Sequence, residues 1–209
     1  MLEPADFDAT RACIEAYDNG SEGADKDGLF AFFNCGDHSG ASQPHRHIQL
    51  LPVSRMRDGL EGADREAWSV LASQLGDGGN AVAPFQTFTE LISMDMSGKE
   101  LWEVYLCLYR RACQSVLKTE DKGEAPAEGE VLISYNIAMT SGTLTICPRV
   151  SEGSEIKKDD GTVVGKLALN GTVLAGTALV KSEEEWNVLR ADEDKLRDLL
   201  ESIGMPNDS

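Results

Sequence analysis

The stretch "NCGDHSGASQPHRHIQLLPV", residues 34 to 53, holds all three histidines of a 209-residue chain. It divides into a loop rich in glycine and serine, Gly36 to Pro44, and a segment from His45 to Pro52 in which polar and apolar residues alternate before the chain turns apolar. In an extended segment, side chains at i, i+2 and i+4 point the same way. The spacing therefore puts His45, His47 and Gln49 on one face of a strand and Arg46, Ile48 and Leu50 on the other. Such a strand can bury its Ile48/Leu50 side and present two imidazoles and a carboxamide to a site.

The loop before it offers Gly36 and Gly40, which allow close approach to the backbone, and Ser39, Ser42 and Gln43 as hydrogen-bond donors. A loop of this kind can gather N–H groups around phosphate oxygens, although by composition alone it is an ordinary turn. Its place beside H-x-H-x-Q favours the phosphate cradle. A neutral imidazole, with an ordinary pKa of about 6.5, can attack phosphorus and form a covalent intermediate. One ring nitrogen is then the nucleophile, and the other keeps its proton and needs an acceptor such as a backbone carbonyl. Gln49 cannot serve as a base, but it can steady a non-bridging oxygen.

Other chemistries fit the same residue types. H-x-H is a metal-ligand spacing whose third ligand could be His38, Cys35 or a carboxylate. Cys35 with a histidine base could form a nucleophilic pair, but no cysteine-hydrolase signature or G-x-S-x-G elbow accompanies it. Three solvated or internally satisfied histidines would carry no chemistry at all.

Composition narrows the field. The chain is 41% hydrophobic with three Trp and six Phe, enough for a real core. A net charge of -17 argues against nucleic-acid backbones as main partner, while small anions can still be held locally because charge is screened beyond roughly 8 Å. No apolar run approaches the roughly 18 residues of a membrane helix, and the acidic first residues do not suit a signal peptide. Five cysteines without a C-x-x-C pair fit reduced thiols. A soluble protein of the cytoplasm or nucleus is expected; oligomeric state carries no signal.

Along the chain, residues 4 to 17 read as a helix with Phe7, Ile14 and Tyr17 on one face, closed by Asn19-Gly20. "SEGADKDG" reads as a loop, "LFAFFNC" (residues 29 to 35) as a buried strand, and "DREAWSVLASQL" as a short helix broken by "GDGGN". A strong helix opens at Ser97, with Glu100 completing a capping box and Leu101, Val104, Tyr105, Leu108 and Ala112 on one face. Residues 118 to 130 form a charged connector between a segment 1 to 117 and a segment 131 to 209. Three strands are expected after it, "VLISYNIAMT", "TLTICPRV" and "GTVLAGTALVK", and one last helix from Ser182 to near Gly204.

The segment "FFNCGDHSGASQPHRHIQLLP" resembles the active-site region of diadenosine tetraphosphate phosphorylases of the fungal type, also called ATP adenylyltransferases. These belong to the transferase branch of the histidine-triad superfamily, with H-x-H-x-Q in place of H-x-H-x-H. "VAPFQTF", "SYNIAMTSGTLTICPR" and "LALNGTVLAGTALVKSEEEWNVL" extend the likeness to about residue 190. The resemblance implies an α+β fold with a mainly antiparallel sheet and flanking helices. It implies that His47 is adenylylated by the dinucleotide with release of ATP, and that inorganic phosphate then takes the AMP group to give ADP. His45 would orient the nucleophile, Gln49 steady the phosphoryl oxygens, and Asn34, Gly40, Ser42 and Gln43 hold phosphates. No metal is implied for the covalent step, although magnesium can accompany the nucleotide. Members of the family carry a further stretch before the segment matching residues 2 to 20, so part of the sheet and of the adenosine pocket is expected to be missing, leaving a sheet edge or an apolar face of the first helix open. A hexose-1-phosphate uridylyltransferase and an inactive nucleotide-binding module remain alternatives.

Overall fold

The apolar run "LFAFFNC" forms the strand β1, Leu29–Cys35, with its first five residues buried. In the computed structural model, which describes residues 1–20, 28–43, 45–76, 83–118 and 125–207, β1 lies between β2 (Ile48–Pro52) and β4 (Ser134–Met139). The sheet continues through β5 (Thr143–Arg149) to β3 (Phe88–Leu91), in the order β2-β1-β4-β5-β3, and all its pairings are antiparallel. Strands from both sides of residues 118 to 130 therefore interleave in one sheet. The predicted loop at 21–27, most of "GDGGN" at 77–80 and the middle of the connector at 119–124 lie outside the described residues.

Residues opposite one another in the ladder share a face. On one face Ala31, Phe33, Tyr135, Ile137 and Ile146 are buried beneath two helices, α1 (Pro4–Gly20) and α5 (Gly98–Leu117). Phe7 and Ile14 of α1 are buried there, with the Phe7 ring 5.5 Å from that of Tyr105. The expected open apolar face on the first helix is thus not found: α5 covers it. Burial of each such side chain is worth roughly 1.5–3 kcal/mol, against a few tenths for helix propensity, so packing holds α1 in place. The capping box predicted for α5 is present, with Ser97 Oγ accepting from the Glu100 N–H and Glu100 Oε2 accepting from the Ser97 N–H.

On the other face Phe30, Phe32, Ala138 and Cys147 are buried under a smaller layer. Three short helices, α2 (Val53–Met56), α3 (Gly62–Ala67) and α4 (Leu71–Leu75), lead into it, and the hairpin β6 (Gly153–Lys157) with β7 (Val163–Ala168) builds its centre. A 3-10 turn at Gly171–Ala175 and the helices α6 (Glu183–Ala191) and α7 (Glu193–Glu201) complete it. Among the described residues no helix is long and apolar enough to cross a membrane.

Several expectations need correction. The strand predicted from His45 begins only at Ile48, because the ladder with β1 stops at the Phe33/Ile48 pair and His45 sits in a bend. "DREAWSVLASQL" is not one helix: Trp68, in extended conformation, separates α3 from α4. "GTVLAGTALVK" opens as a 3-10 turn rather than a strand. Asn170 Oδ1 accepts from the Thr172 N–H and starts the turn, and Gly176, at φ 79, ends it. The last helix is two helices, divided at Asp192, whose carboxylate caps the second by accepting from the Asp194 N–H. The Ser182 cap holds, yet Glu185 turns its carboxylate to the Lys181 N–H.

Candidate active site

At its C-terminal end β1 turns sharply through Gly36, at φ 84, where a side chain would collide with Ser134. The loop that follows is anchored from below. Ser39 N–H and Oγ both donate to Gly36 O, the His38 N–H donates to Ser134 Oγ at 3.2 Å, and Ser39 O accepts from Asn136 Nδ2 at 2.8 Å. Gly40, at φ 71, packs so closely on the chain before the 3-10 turn that a Cβ would lie 2.6 Å from Leu169 O. Only glycine accommodates both the dihedral and the contact. Beyond it Ala41, Ser42 and Gln43 are exposed, and among the described residues nothing accepts a hydrogen bond from their N–H groups. Those donors are open to a ligand.

This loop, the end of β1 and residues 129 to 131 enclose a cleft of about 920 Å³. Asn34, Ser42, Gln43 and His45 line it, whereas Gly40 is not among its lining residues. His47 is exposed next to it, its ring 6.0 Å from that of His45 and inclined by 30°, so the two imidazoles stack as the alternation predicts. Neither ring has a hydrogen-bond partner among the described residues. Gln49 lies farther along β2, half-buried and opposite Phe32, on the same sheet face as Asn34 and away from the cleft wall. Arg46, on the opposite side, ion-pairs with Glu3 (2.8 Å) and Asp6 (3.0 Å), which ties the histidine segment to α1.

The structure adds two residues that spacing alone did not single out. Asn136, wholly buried, donates to Asn34 Oδ1 at 2.8 Å, and Arg149, 2% exposed, donates through Nη1 to Asn136 Oδ1. Both lie in the quoted "SYNIAMTSGTLTICPR" segment, on the paired strands β4 and β5; an Asn and an Arg inside otherwise apolar strand runs were the available signal. Cys35 lines the cleft, but burial pushes its thiol up, only partly offset by a hydrogen bond with Tyr135, which is the reverse of what an activated nucleophile needs. Cys113 is raised by the same desolvation and Cys147 is pushed up to about 12.

Those thiols make a pH prediction. Unfolded, they ionise near their ordinary 9.0; folded, they keep their protons. Their contribution to stability is complete below the unfolded value and is lost as pH climbs from there toward the folded one. Urea unfolding should show lower stability at about pH 10 than at about pH 7, and alkylation should reach the exposed Cys13 and Cys107 before the other three.

Comparison with known proteins bears on the same segments. Residues 81–206 match the family described as ATP adenylyltransferase C-terminal domain, and residues 1–61 match that described as Ap4A phosphorylase N-terminal domain. Diadenosine 5',5'''-P1,P4-tetraphosphate phosphorylase 2 of Saccharomyces cerevisiae is 28% identical over 185 residues, covering 84% of this chain and 52% of that protein. Protein APA1 of the same yeast is 25% identical over 217 residues, covering 100% of this chain and 61% of that protein. The chain thus spans somewhat more than half the length of these relatives. The crystal structure of yeast Ap4A phosphorylase Apa2 superposes with a TM-score of 0.68 at 22% identity, covering 100% of this chain and 67% of that one. Structures of Apa2 with AMP and with Ap4A give 0.68 and 0.66. The likeness establishes the predicted fold, a mainly antiparallel sheet with flanking helices. With the first match extending over more than half of its residues, and the H-x-H-x-Q segment inside the second, the chain belongs to the ATP adenylyltransferase family.

Proposed function

We propose that this chain carries the nucleotidyl-transfer site of a diadenosine tetraphosphate phosphorylase. His47 attacks the α-phosphorus of the dinucleotide, a P–O bond to the leaving ATP breaks, and an adenylyl-histidine remains; inorganic phosphate then displaces the histidine and departs as ADP. The carrying observation is the cleft itself: Asn34, Ser42, Gln43 and His45 share one wall beside the stacked His45/His47 pair, in a chain of this family. The exposed N–H groups of residues 41 to 43 and the Asn34 amide supply donors for phosphoryl oxygens without a cationic cluster. His45 keeps the nucleophile's ring in place by stacking, while Gln49, set back along β2 opposite Phe32, is not among the residues that line the cleft.

Magnesium has no ready ligand set in the protein: among the described residues no group of three His, Cys, Asp or Glu side chains is arranged to hold a metal. A magnesium ion would arrive on the nucleotide's own phosphates. All five cysteines are free, in keeping with a reducing compartment such as the cytoplasm. The family match favours this reading over a hexose-1-phosphate uridylyltransferase. Incubation with diadenosine tetraphosphate and inorganic phosphate, followed by chromatography, should give ADP and ATP in equal amounts. Binding without products would indicate an inactive nucleotide-binding module, and turnover of UDP-glucose with galactose 1-phosphate would indicate the uridylyltransferase.

A further inference from the structure

The buried guanidinium of Arg149 has an unusual set of partners. Its Nε donates to Ile203 O (3.2 Å), Nη2 to Ser151 O (2.9 Å) and Leu169 O (3.0 Å), and Nη1 to Asn136 Oδ1, so every acceptor is a neutral oxygen. Among the described residues no carboxylate pairs with it. Burying a cation with no ion pair in contact is costly, and here Glu152 acts on the guanidinium only from beyond salt-bridge distance, so neutral hydrogen bonds carry most of the compensation. Burial draws its pKa down, yet a guanidinium stays protonated in proteins.

The directions of the hydrogen bonds leading away from Arg149 are forced by chemistry. A guanidinium only donates, so the atom of Asn136 that meets it is Oδ1. Asn136 Nδ2 therefore points the other way, and it donates to Ser39 O and Asn34 Oδ1, both at 2.8 Å. The backbone N–H of Gly171 can only donate, and it meets the same Asn34 Oδ1 at 2.7 Å. Two independent donors thus fix which end of the Asn34 amide is oxygen. The Nδ2 group of Asn34, with both hydrogens and no partner among the described residues, is left facing the cleft that Asn34 lines. The close fit of Gly171, where a Cβ would meet the Phe32 ring at 2.7 Å and Asn34 Oδ1 at 2.9 Å, keeps this arrangement tight.

We propose that Arg149 is a positioning residue for a phosphate subsite: through Asn136 it locks the Asn34 carboxamide so that its two Nδ2 hydrogens point at a phosphoryl oxygen in the cleft. This rests on the reading of the cleft as a nucleotide site. The relay answers an electrostatic problem. The cleft is lined by Asp37, Glu130 and Glu152, and its one lining arginine, Arg46, is committed to Glu3 and Asp6. A polarised chain of hydrogen bonds carries part of the buried positive charge to the surface, where a polyphosphate meets it as an amide donor and not as a mobile cation.

Asn136→Asp separates this role from folding. The carboxylate would pair with Arg149 and satisfy its charge, but would lose the donor that holds Asn34 and Ser39; the Asn34 amide, left with the Gly171 N–H as its one donor and with a new carboxylate attracting its Nδ2, no longer holds that group toward the cleft. Titration calorimetry with AMP, run at a temperature where circular dichroism shows the variant folded, should show affinity reduced about 10- to 100-fold in Asn136→Asp. Asn34→Asp, which keeps its acceptor role toward Gly171 and Asn136 while offering a carboxylate to the ligand, should lose AMP at least as strongly. In the wild-type protein, independently of any variant, the Asn34 side-chain NH₂ pair in a ¹H–¹⁵N spectrum should move on addition of AMP. If AMP binds and those resonances stay still, or if Asn136→Asp binds AMP as the wild type does while Asn34→Asp does not, the positioning role is wrong and the nucleotide site stands. Absence of AMP binding by the wild type overturns the nucleotide reading and this assignment together.

Discussion

Replacing His47 by alanine is expected to reduce phosphorolysis of diadenosine tetraphosphate by a factor of at least about 10³, since removing a nucleophile deletes the covalent path altogether. His45→Ala should lower turnover about 10- to 100-fold, because the ring it removes orients its neighbour without bonding to phosphorus. The contrast between the two is what distinguishes nucleophile from support. Both rings are exposed and engage no described hydrogen-bond partner, so neither substitution should disturb the fold, and melting temperatures should match the wild type. Equal losses for the two variants would show that the histidines act as an interchangeable pair of donors and not in the assigned roles.

Arg149→Met should be the most destabilising of the polar substitutions, by about 3–5 kcal/mol. Methionine fills much of the volume, but Asn136 Oδ1, Leu169 O and Ser151 O lose their donor inside the protein, while Ile203 O keeps only the backbone N–H groups of Val150 and Ser151. Arg149 also joins parts distant in sequence: the end of β5, the strand before the 3-10 turn and the chain after α7, where Arg149 bridges to Gly204. At roughly 2–4 °C per kcal/mol for a chain of this size, the melting temperature should fall by about 6–20 °C. Arg149→Lys should recover only part of this, since a single ammonium cannot reach acceptors spread around a planar guanidinium. Denaturant unfolding that places Arg149→Met within 1 kcal/mol of the wild type would contradict this role.

How much of this was legible in the sequence differs from element to element. β1 and α5 were plain because their signals are local: an aromatic run short enough to be a strand, and a helix whose Ser97/Glu100 box marks its own start. The alternation of the histidine segment matches the packing of Ile48 and Leu50 against the core and the placing of His45 beside His47, but Gln49 lies away from the cleft and hydrogen bonding to β1 begins later than alternation suggested. The breaks were not legible. Asp192 looks like any polar residue on a helix surface until its side chain caps the next helix, and the Asn170 turn competes locally with a β-prone "TVLAGTALV" run that favours a strand. Least visible was the Asn34–Asn136–Arg149 relay. Its members lie on three neighbouring strands, β1, β4 and β5, and only pairing of those strands brings them together.

The most direct test is to incubate the protein with diadenosine tetraphosphate in the absence of inorganic phosphate, digest it, and locate any AMP adduct by peptide mass spectrometry. An acid-labile adenylyl group on His47, discharged as ADP when phosphate is added, is the predicted result. An adduct on His45, on Cys35 or on another residue, or turnover with no adduct at all, would contradict it.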